Sequence, residues 1–343
     1  MHPQGTDNTP TLAAAIQKRA TSTLVCRMDK ERYRKLCKEE DSLPLFSRDW
    51  WLDAACGKLK WDALIVEKNG GVVSAMPLFT PLKGIVMMPV YTQTMGPWLR
   101  SEAPDAKYTH SLSRRQTILK VLVEALKDYP RFAQNFNYKI TDWLPFYWDG
   151  YRQTTRYTYI LSNIDDDNAL WEGMSANTRR NILKARDRQG IIVRKGIPTR
   201  DFIKIQTMTF RRQHLPAPKK PKRLFKLIAA CRKYRQGDIW GAYDEEGRLH
   251  AVAFIAWQDS SAYYIAGGAD PSLRSSGAQS LLMWECIRFV SQYTSTFDFE
   301  GSMLPGVERF FREFGAIQTP YFAITKGKIS LLHRALIKLK ELI

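Results

Sequence analysis

The residue types that could do chemistry gather between positions 260 and 315. Phe297-Asp298-Phe299-Glu300 alternates, so in an extended strand Asp298 and Glu300 share one face and the two phenylalanines share the other. The phenylalanines belong in a core beneath a helix. That leaves two carboxylates at the carboxyl end of a central strand, where α/β folds collect ligands. Amide formation needs an amine that sheds a proton as it attacks, and a carboxylate with a raised pKa can accept it. Glu300, nearer the strand end, is the better candidate, with Asp298 beside it. The alternative for either is a structural ion pair with Arg274 or Arg309. Upstream, Tyr263-Tyr264 lies on a preceding strand, where alternation turns one phenol to the site and the other to the core. Gly267-Gly268 just beyond permits close approach of backbone.

A second feature is charge. The chain has 343 residues, 52 Lys+Arg against 34 Asp+Glu, and a net charge of +18. Between Leu170 and Gln236 stand 19 basic and 3 acidic side chains, a local +16 that leaves +2 for everything else. A field so localised suits a polyanionic partner, or a merely solvated basic face. Arg180, Lys184 and Arg188 repeat at i, i+4, i+8 in a helix over 177–188 that also carries Arg179. An external anion would relieve their mutual repulsion. Lys219 and Lys220 add a proline-bounded basic loop. Aromatic residues are sparse around both clusters, so RNA contact would be mainly to phosphate and salt dependent.

Composition excludes other classes. With 44% hydrophobic and 25% charged residues the chain is globular, and it is long enough for two domains. Cys26, Cys37, Cys56, Cys231 and Cys286 are widely spaced, which supports neither a disulfide framework nor a zinc site. Apolar runs such as Val252 to Trp257 are far shorter than a membrane span. A cytoplasmic protein without transmembrane segment is expected. His214 and His250 read as isolated structural residues, no Ser-His-Asp pattern is assigned, and no metal is expected.

The elements that must position these residues come twice. Residues 1–22 form a polar tail. In 23–165, a short helix (48–56) precedes a hairpin of Asp62 to Glu67 and Val72 to Phe79 about Asn69-Gly70-Gly71. A third strand (84–90), a helix with Ile118, Val121, Leu122, Ala125 and Leu126 inward, and strands 138–143 and 156–161 follow. In 166–328, strand 191–195 leads through helices 199–214 and 221–236 to strands 239–243, 249–257 and 262–266. Helix 277–293, strand 297–300, a helix with Val307, Phe310, Phe311 and Phe314 at i, i+3, i+4, i+7, and strand 321–325 complete the unit. A last helix covers 329–343. The repeated order predicts an α/β (α+β) chain of two similar domains, each a mixed central sheet flanked by helices.

The second unit resembles the GNAT acyltransferases. In that family a strand leads into a loop [QR]-x-x-G-x-[GA] that opens a helix, whose amides cradle the pyrophosphate of coenzyme A. Asp270-Pro271-Ser272-Leu273-Arg274-Ser275-Ser276-Gly277-Ala278-Gln279 matches at Arg274 and Gly277, with Gln279 where Gly or Ala is usual. The resemblance implies donor binding by Arg274, Gly277 and Ala278. It also implies an oxyanion donor among the amides of Ala266 to Ala269, beside Gly267 and Gly268. The GNAT pattern Tyr-x-x-x-Gly-Phe is met by Phe311-Arg312-Glu313-Phe314-Gly315, so phenylalanine replaces the tyrosine that protonates a leaving thiolate.

That replacement is similar to the Fem-type peptidyltransferases, tandem GNAT-like (FemAB-like) proteins with a Phe-Lys pair here. Asn177 to Ala185 with Gly190, and Phe297 to Ser302, also resemble Fem-like sequences. The chain lacks the heptad run of members with a coiled-coil arm. The resemblance implies that Phe311 and Arg312 serve the donor end and its developing charge. The leading expectation is an N-acyltransferase, with no tightly bound cofactor, moving an aminoacyl group from aminoacyl-tRNA to an amine. A peptidoglycan precursor as acceptor would bring the chain into peripheral membrane contact. The runner-up donor is acyl-CoA or acyl carrier protein. The third reading is a non-catalytic RNA-binding protein on the same scaffold.

Overall fold

A computed structural model describes residues 24–102, 104–212, 221–301, 303–331 and 333. The first half runs β1 (Leu24–Met28), α1 (Lys30–Glu39), α2 (Asp49–Ala55), β2 (Trp61–Lys68), β3 (Gly71–Leu82), β4 (Ile85–Met87), β5 (Trp98–Leu99), α3 (Tyr108–Ala125), β6 (Arg131–Asn135), α4 (Leu144–Trp148) and β7 (Arg152–Ser162). The second runs α5 (Asp167–Gly173), α6 (Ala176–Leu183), β8 (Ile192–Lys195), α7 (Thr199–Arg212), α8 (Pro221–Tyr234), β9 (Gly237–Tyr243), β10 (Leu249–Gln258), β11 (Ser261–Ala269), α9 (Ala278–Val290), β12 (Thr296–Asp298), α10 (Pro305–Arg312) and β13 (Ile317–Lys326). The expected C-terminal helix falls almost wholly outside the described residues.

All the strands join one sheet in the order β1-β2-β3-β4-β6-β13-β7-β12-β11-β10-β9-β8, with β5 paired to β3. The two halves therefore exchange their last strands. β7, read from the sequence as closing the first unit, pairs with β12 and β13, while β13 returns to pair with β6. Each half completes the other's sheet, which makes their relative placement part of the fold and not a matter of a linker. A core shared by both halves reinforces this. Tyr33, Phe46 and Trp51 from the first pack in one cluster with Phe202, Leu227, Phe254 and Tyr263 from the second. A second core lies under α9 and α10, and a third under α3.

Two expectations from periodicity are corrected. The strand expected over 138–143 is a loop, and the strand lies at β6 instead. Asn137 and Asp142 explain the error: their side chains accept from the amides of Lys139 (3.0 Å) and Leu144 (3.0 Å) and hold turns. β6 was masked because the inward Gln134 is polar, although it is 1% exposed and its amide donates to the Pro77 carbonyl. The single helix expected over 177–188 stops at Leu183 and continues as a π-helical turn, Lys184–Arg188.

Candidate active site

The site follows from how β11 meets its neighbours. Against β10 the register passes from Phe254↔Ala266 to Ile255↔Tyr264, so Ile265 is an extra residue in a β-bulge. On the other side β11 and β12 run parallel for only two pairs, Ala262↔Phe297 and Tyr263↔Asp298. Beyond these the strands part. Into the gap opens a cleft of ≈ 970 Å³, walled by β11 from Tyr264 to Ala269, by α7, by Phe299 to Gly301, and by α10. Tyr91 of the first half also lines it.

The cleft collects most of the residues singled out from sequence. Glu300, Tyr264, Gly267, Gly268, Arg274 and Phe311 all line it. Phe311 is buried, stacked on Phe299 with centroids 5.0 Å apart, and edge-on to Tyr264 at 6.0 Å. Tyr263 turns the other way and packs on Phe46 at 4.7 Å, as alternation requires. A Cβ on Gly267 would stand 2.2 Å from the Tyr264 hydroxyl and 2.6 Å from the Val252 carbonyl, so only glycine lets that tyrosine lie across the strand.

Asp298 and Glu300 do not share a strand face as the alternation suggested. β12 ends at Asp298, and Glu300 turns into the left-handed region at φ +58, followed by Gly301 at φ +53. Asp298 is 1% exposed; its Oδ1 accepts from the Thr158 hydroxyl and from the Glu300 amide at 2.7 Å. Burial raises its pKa to about 6, against the lowering effect of those hydrogen bonds. Glu300 Oε1 is buried without a hydrogen-bond partner. Burial first, then the neighbouring Asp298 carboxylate, push the Glu300 carboxyl well above the usual range. The ion pairs offered as the alternative role do not form: Arg309 pairs with Glu313 at 2.8 Å, and among the described residues neither carboxylate has a cationic partner.

Other candidates are placed elsewhere. Arg312 is on the solvent side of α10, bonded to Glu308 at 2.8 Å, and does not line the cleft. Gly277 and Ala278 open α9 at a neighbouring small cavity of ≈ 170 Å³, joined to the cleft's wall through Arg274. Gly277 has φ +79 and its missing Cβ would meet the Asn181 carbonyl at 2.4 Å, so the close approach of α6 explains the glycine. In the basic segment Arg179 pairs with Glu172, Lys184 donates to the Ser275 carbonyl at 2.7 Å, and Arg180 and Arg188 are exposed. Lys219 and Lys220 lie outside the described residues. Of the amides from Ala266 to Ala269, that of Ala269 is taken by the Thr209 hydroxyl at 3.0 Å.

Sequence reasoning missed three participants. Arg212, the last residue of α7, lines the cleft facing Arg274; burial and then that neighbour lower its pKa. Thr158 and Gln93 reach Asp298 from the first half, and only topology brings them there. His250 is also not isolated. It bridges Asp244 (Nε2 to Oδ2, 2.9 Å) and Ser276 (Nδ1 to Oγ, 2.9 Å), and Ser276 Oγ accepts from the Ala278 amide. With Arg248 also on Asp244, this chain of bonds pins the loop ahead of α9. Among the described residues no group of His, Cys, Asp and Glu is arranged to hold a metal.

A parting pair of parallel strands, a bulge on the first, and a helix opening after it define a class. Residues 173–312 match the model of the acetyltransferase (GNAT) domain, an acyltransferase domain, and the chain as a whole shares its fold with tandem GNAT structures. The chain is similar in structure to FemX, with a TM-score of 0.63 and 13% identity over 92% of this chain and 99% of that one. It is also similar to L-PGS from Bacillus licheniformis (TM-score 0.53, 14% identity, 92% and 97% covered). A tandem GNAT protein from the clavulanic acid biosynthesis pathway matches at TM-score 0.52 and 9% identity, over 90% and 99%. No curated protein matches the sequence significantly.

Proposed function

We propose that the chain is an N-acyltransferase that moves an aminoacyl group from the 3′ end of a charged tRNA to an amine, with Glu300 as the proton acceptor. The observation that carries this reading is the buried, unpartnered Glu300 oxygen at the mouth of the parted strands. The amine nitrogen attacks the ester carbonyl carbon and its N–C bond forms. Its proton passes to the Glu300 carboxylate, and as the C–O bond breaks that proton goes to the departing ribose oxygen. Amides along the bulged stretch of β11 face the developing oxyanion. A raised pKa makes the ionised Glu300 a stronger base and makes the rate climb with pH through that value.

Several features favour an ester of tRNA as donor over a thioester. Phe311 stands in the cleft wall where an acid for a leaving thiolate would stand. Arg212 and Arg274, which form no ion pair among the described residues, supply positive charge for phosphate, and the basic segment 170–236 supplies a wider field. The Fem-type resemblance of Phe311-Arg312 and of Asn177 to Ala185 makes a cell-wall precursor amine the first acceptor to try, and the fold shared with FemX is compatible with it. The second reading, transfer from acyl-CoA, rests on Arg274 and Gly277 beside the small cavity at α9. Mixing the protein and an amine acceptor with charged tRNA or with acyl-CoA separates them. RNase-sensitive amide formation is expected; transfer from the thioester alone would overturn the donor assignment.

A further inference from the structure

The carboxyl pair sits in the second half, yet the groups that hold it come from elsewhere. Thr158 lies on β7, the strand that the first half lends to the second's sheet, and is 1% exposed. Its hydroxyl donates to Asp298 Oδ1. The same hydroxyl oxygen accepts from Gln93 Nε2 at 3.0 Å. Gln93 is itself buried, in the loop after β4, and its backbone carbonyl accepts from Asn135 Nδ2 at 2.9 Å, which holds the loop in place. With its side-chain amide donating to Thr158, Gln93 leaves the Thr158 proton for Asp298, which accepts it, and Gln93 also bonds Asp298 directly. Asp298 in turn accepts the Glu300 amide. That bond fixes a left-handed turn that a glutamate enters only when its surroundings impose it.

The packing around the turn leaves no other solution. The Phe299 amide donates to the Tyr159 carbonyl at 2.9 Å. A Cβ on Gly301 would stand 1.9 Å from the Tyr157 carbonyl oxygen and 2.7 Å from Thr158 Cα. The segment carrying Glu300 is thus pressed against the middle of β7. The side chains facing the pair are Thr158 and Gln93 from the first half, with the phenols of Tyr138, Tyr263 and Tyr321 nearby. Among the described residues no Lys or Arg pairs with either carboxylate.

We infer that Gln93 and Thr158 are positioning residues: a buried relay from the first half orients Asp298, and through it aims the Glu300 carboxyl into the cleft of the second half. Asp298 has two tasks in this arrangement. It accepts the Glu300 amide, and its charge faces the Glu300 carboxyl and keeps that group's proton tightly held. The inference deepens the proposed function and rests on it for the word "aims". The relay itself can be tested without any substrate.

The test is a carboxyl titration by NMR on the full chain, with 13C-labelled Asp and Glu and with D298N and E300Q to assign the two signals. In the unaltered protein both midpoints are expected above the ordinary carboxylate range. D298N should lower the Glu300 midpoint by removing the facing charge. T158V, which deletes the donor to Asp298, should raise the Asp298 midpoint by about half to one pH unit, Q93A should raise it less, and T158S should restore it. A Thr158 that only fills space would lower the melting temperature in T158V and leave both midpoints in place. Unmoved midpoints in a folded T158V would overturn the inference whatever the enzyme's substrate. Moved midpoints together with full transfer activity in E300Q would instead overturn the role given to Glu300 and leave the relay standing.

Discussion

The two halves build the same opening and use it differently. In the second, β11 and β12 pair at two positions and then part around the cleft. In the first, β4 and β6 likewise pair at two positions, Ile85↔Arg131 and Val86↔Phe132. There the chain fills its own gap. Met95 bridges to Phe136, the Met95 amide donates to the Asn135 carbonyl at 2.7 Å, and Gly96 presses on the Phe136 ring. Counted from the paired positions, Gln134 stands where Glu300 stands. It is a neutral amide, buried and bonded to Pro77, where the second half has a carboxyl facing a cleft. The plug is not idle, because it carries Tyr91 to the cleft wall and Gln93 to Thr158. One opening has become the support of the other.

The sharpest way to break this comparison is to replace each of its two key side chains in turn. E300Q gives the second half the first half's amide and is expected to lower transfer about 10²- to 10⁴-fold in a single-turnover assay. Q134L should leave transfer unchanged and show itself only in thermal unfolding. Equal losses of activity from both would mean that the halves are not divided as described.

The next effect is on stability against pH. Asp298 is raised to about 6 from an ordinary 3.8, so between these values the folded chain binds more protons than the unfolded one. Stability from this group is full below pH 4 and falls as pH rises to 6, by roughly 3 kcal/mol in total. Asp244 has the opposite sign, lowered chiefly by its bond to His250, and loses its contribution only below pH 4. Denaturant midpoints from pH 4 to 7 should therefore decline in the unaltered chain and decline less in D298N.

Smaller effects distinguish packing from chemistry. G301A forces a Cβ against the Tyr157 carbonyl at a left-handed φ and should cost about 2 kcal/mol or more in urea unfolding. R312A removes an exposed, solvent-screened pair with Glu308 and should leave urea unfolding almost unchanged. The same variant also tests what the Phe-Lys likeness implied. An arginine that serves the donor would lower transfer in R312A far more than its stability loss explains.

Much of this was legible in the sequence, for reasons that are local. The hairpin at Asn69-Gly70-Gly71, the amphipathic stripe of α10 and the glycines beside Tyr264 are short-range patterns, and they placed the cleft residues on the right elements. The alternation of Phe297 to Glu300 correctly buried both phenylalanines, and failed at Glu300 because the strand ends two residues earlier. What sequence could not supply was topology. Nothing local says that β7 and β13 exchange sheets, so Thr158 and Gln93 had no reason to be read with Asp298. Arg212 was hidden in plain count, one of 19 basic residues in its segment, and only its position at the end of α7 separates it from the rest.

The most direct test of the account is where a donor analogue binds. A structure with a terminal adenosine carrying its amino acid through a non-hydrolysable 3′-amide should place the amide carbonyl between the β11 bulge and Glu300, with Tyr91 of the first half against the ligand. An analogue seated in the gap between β4 and β6 with the plug displaced, or bound away from Glu300, would contradict it.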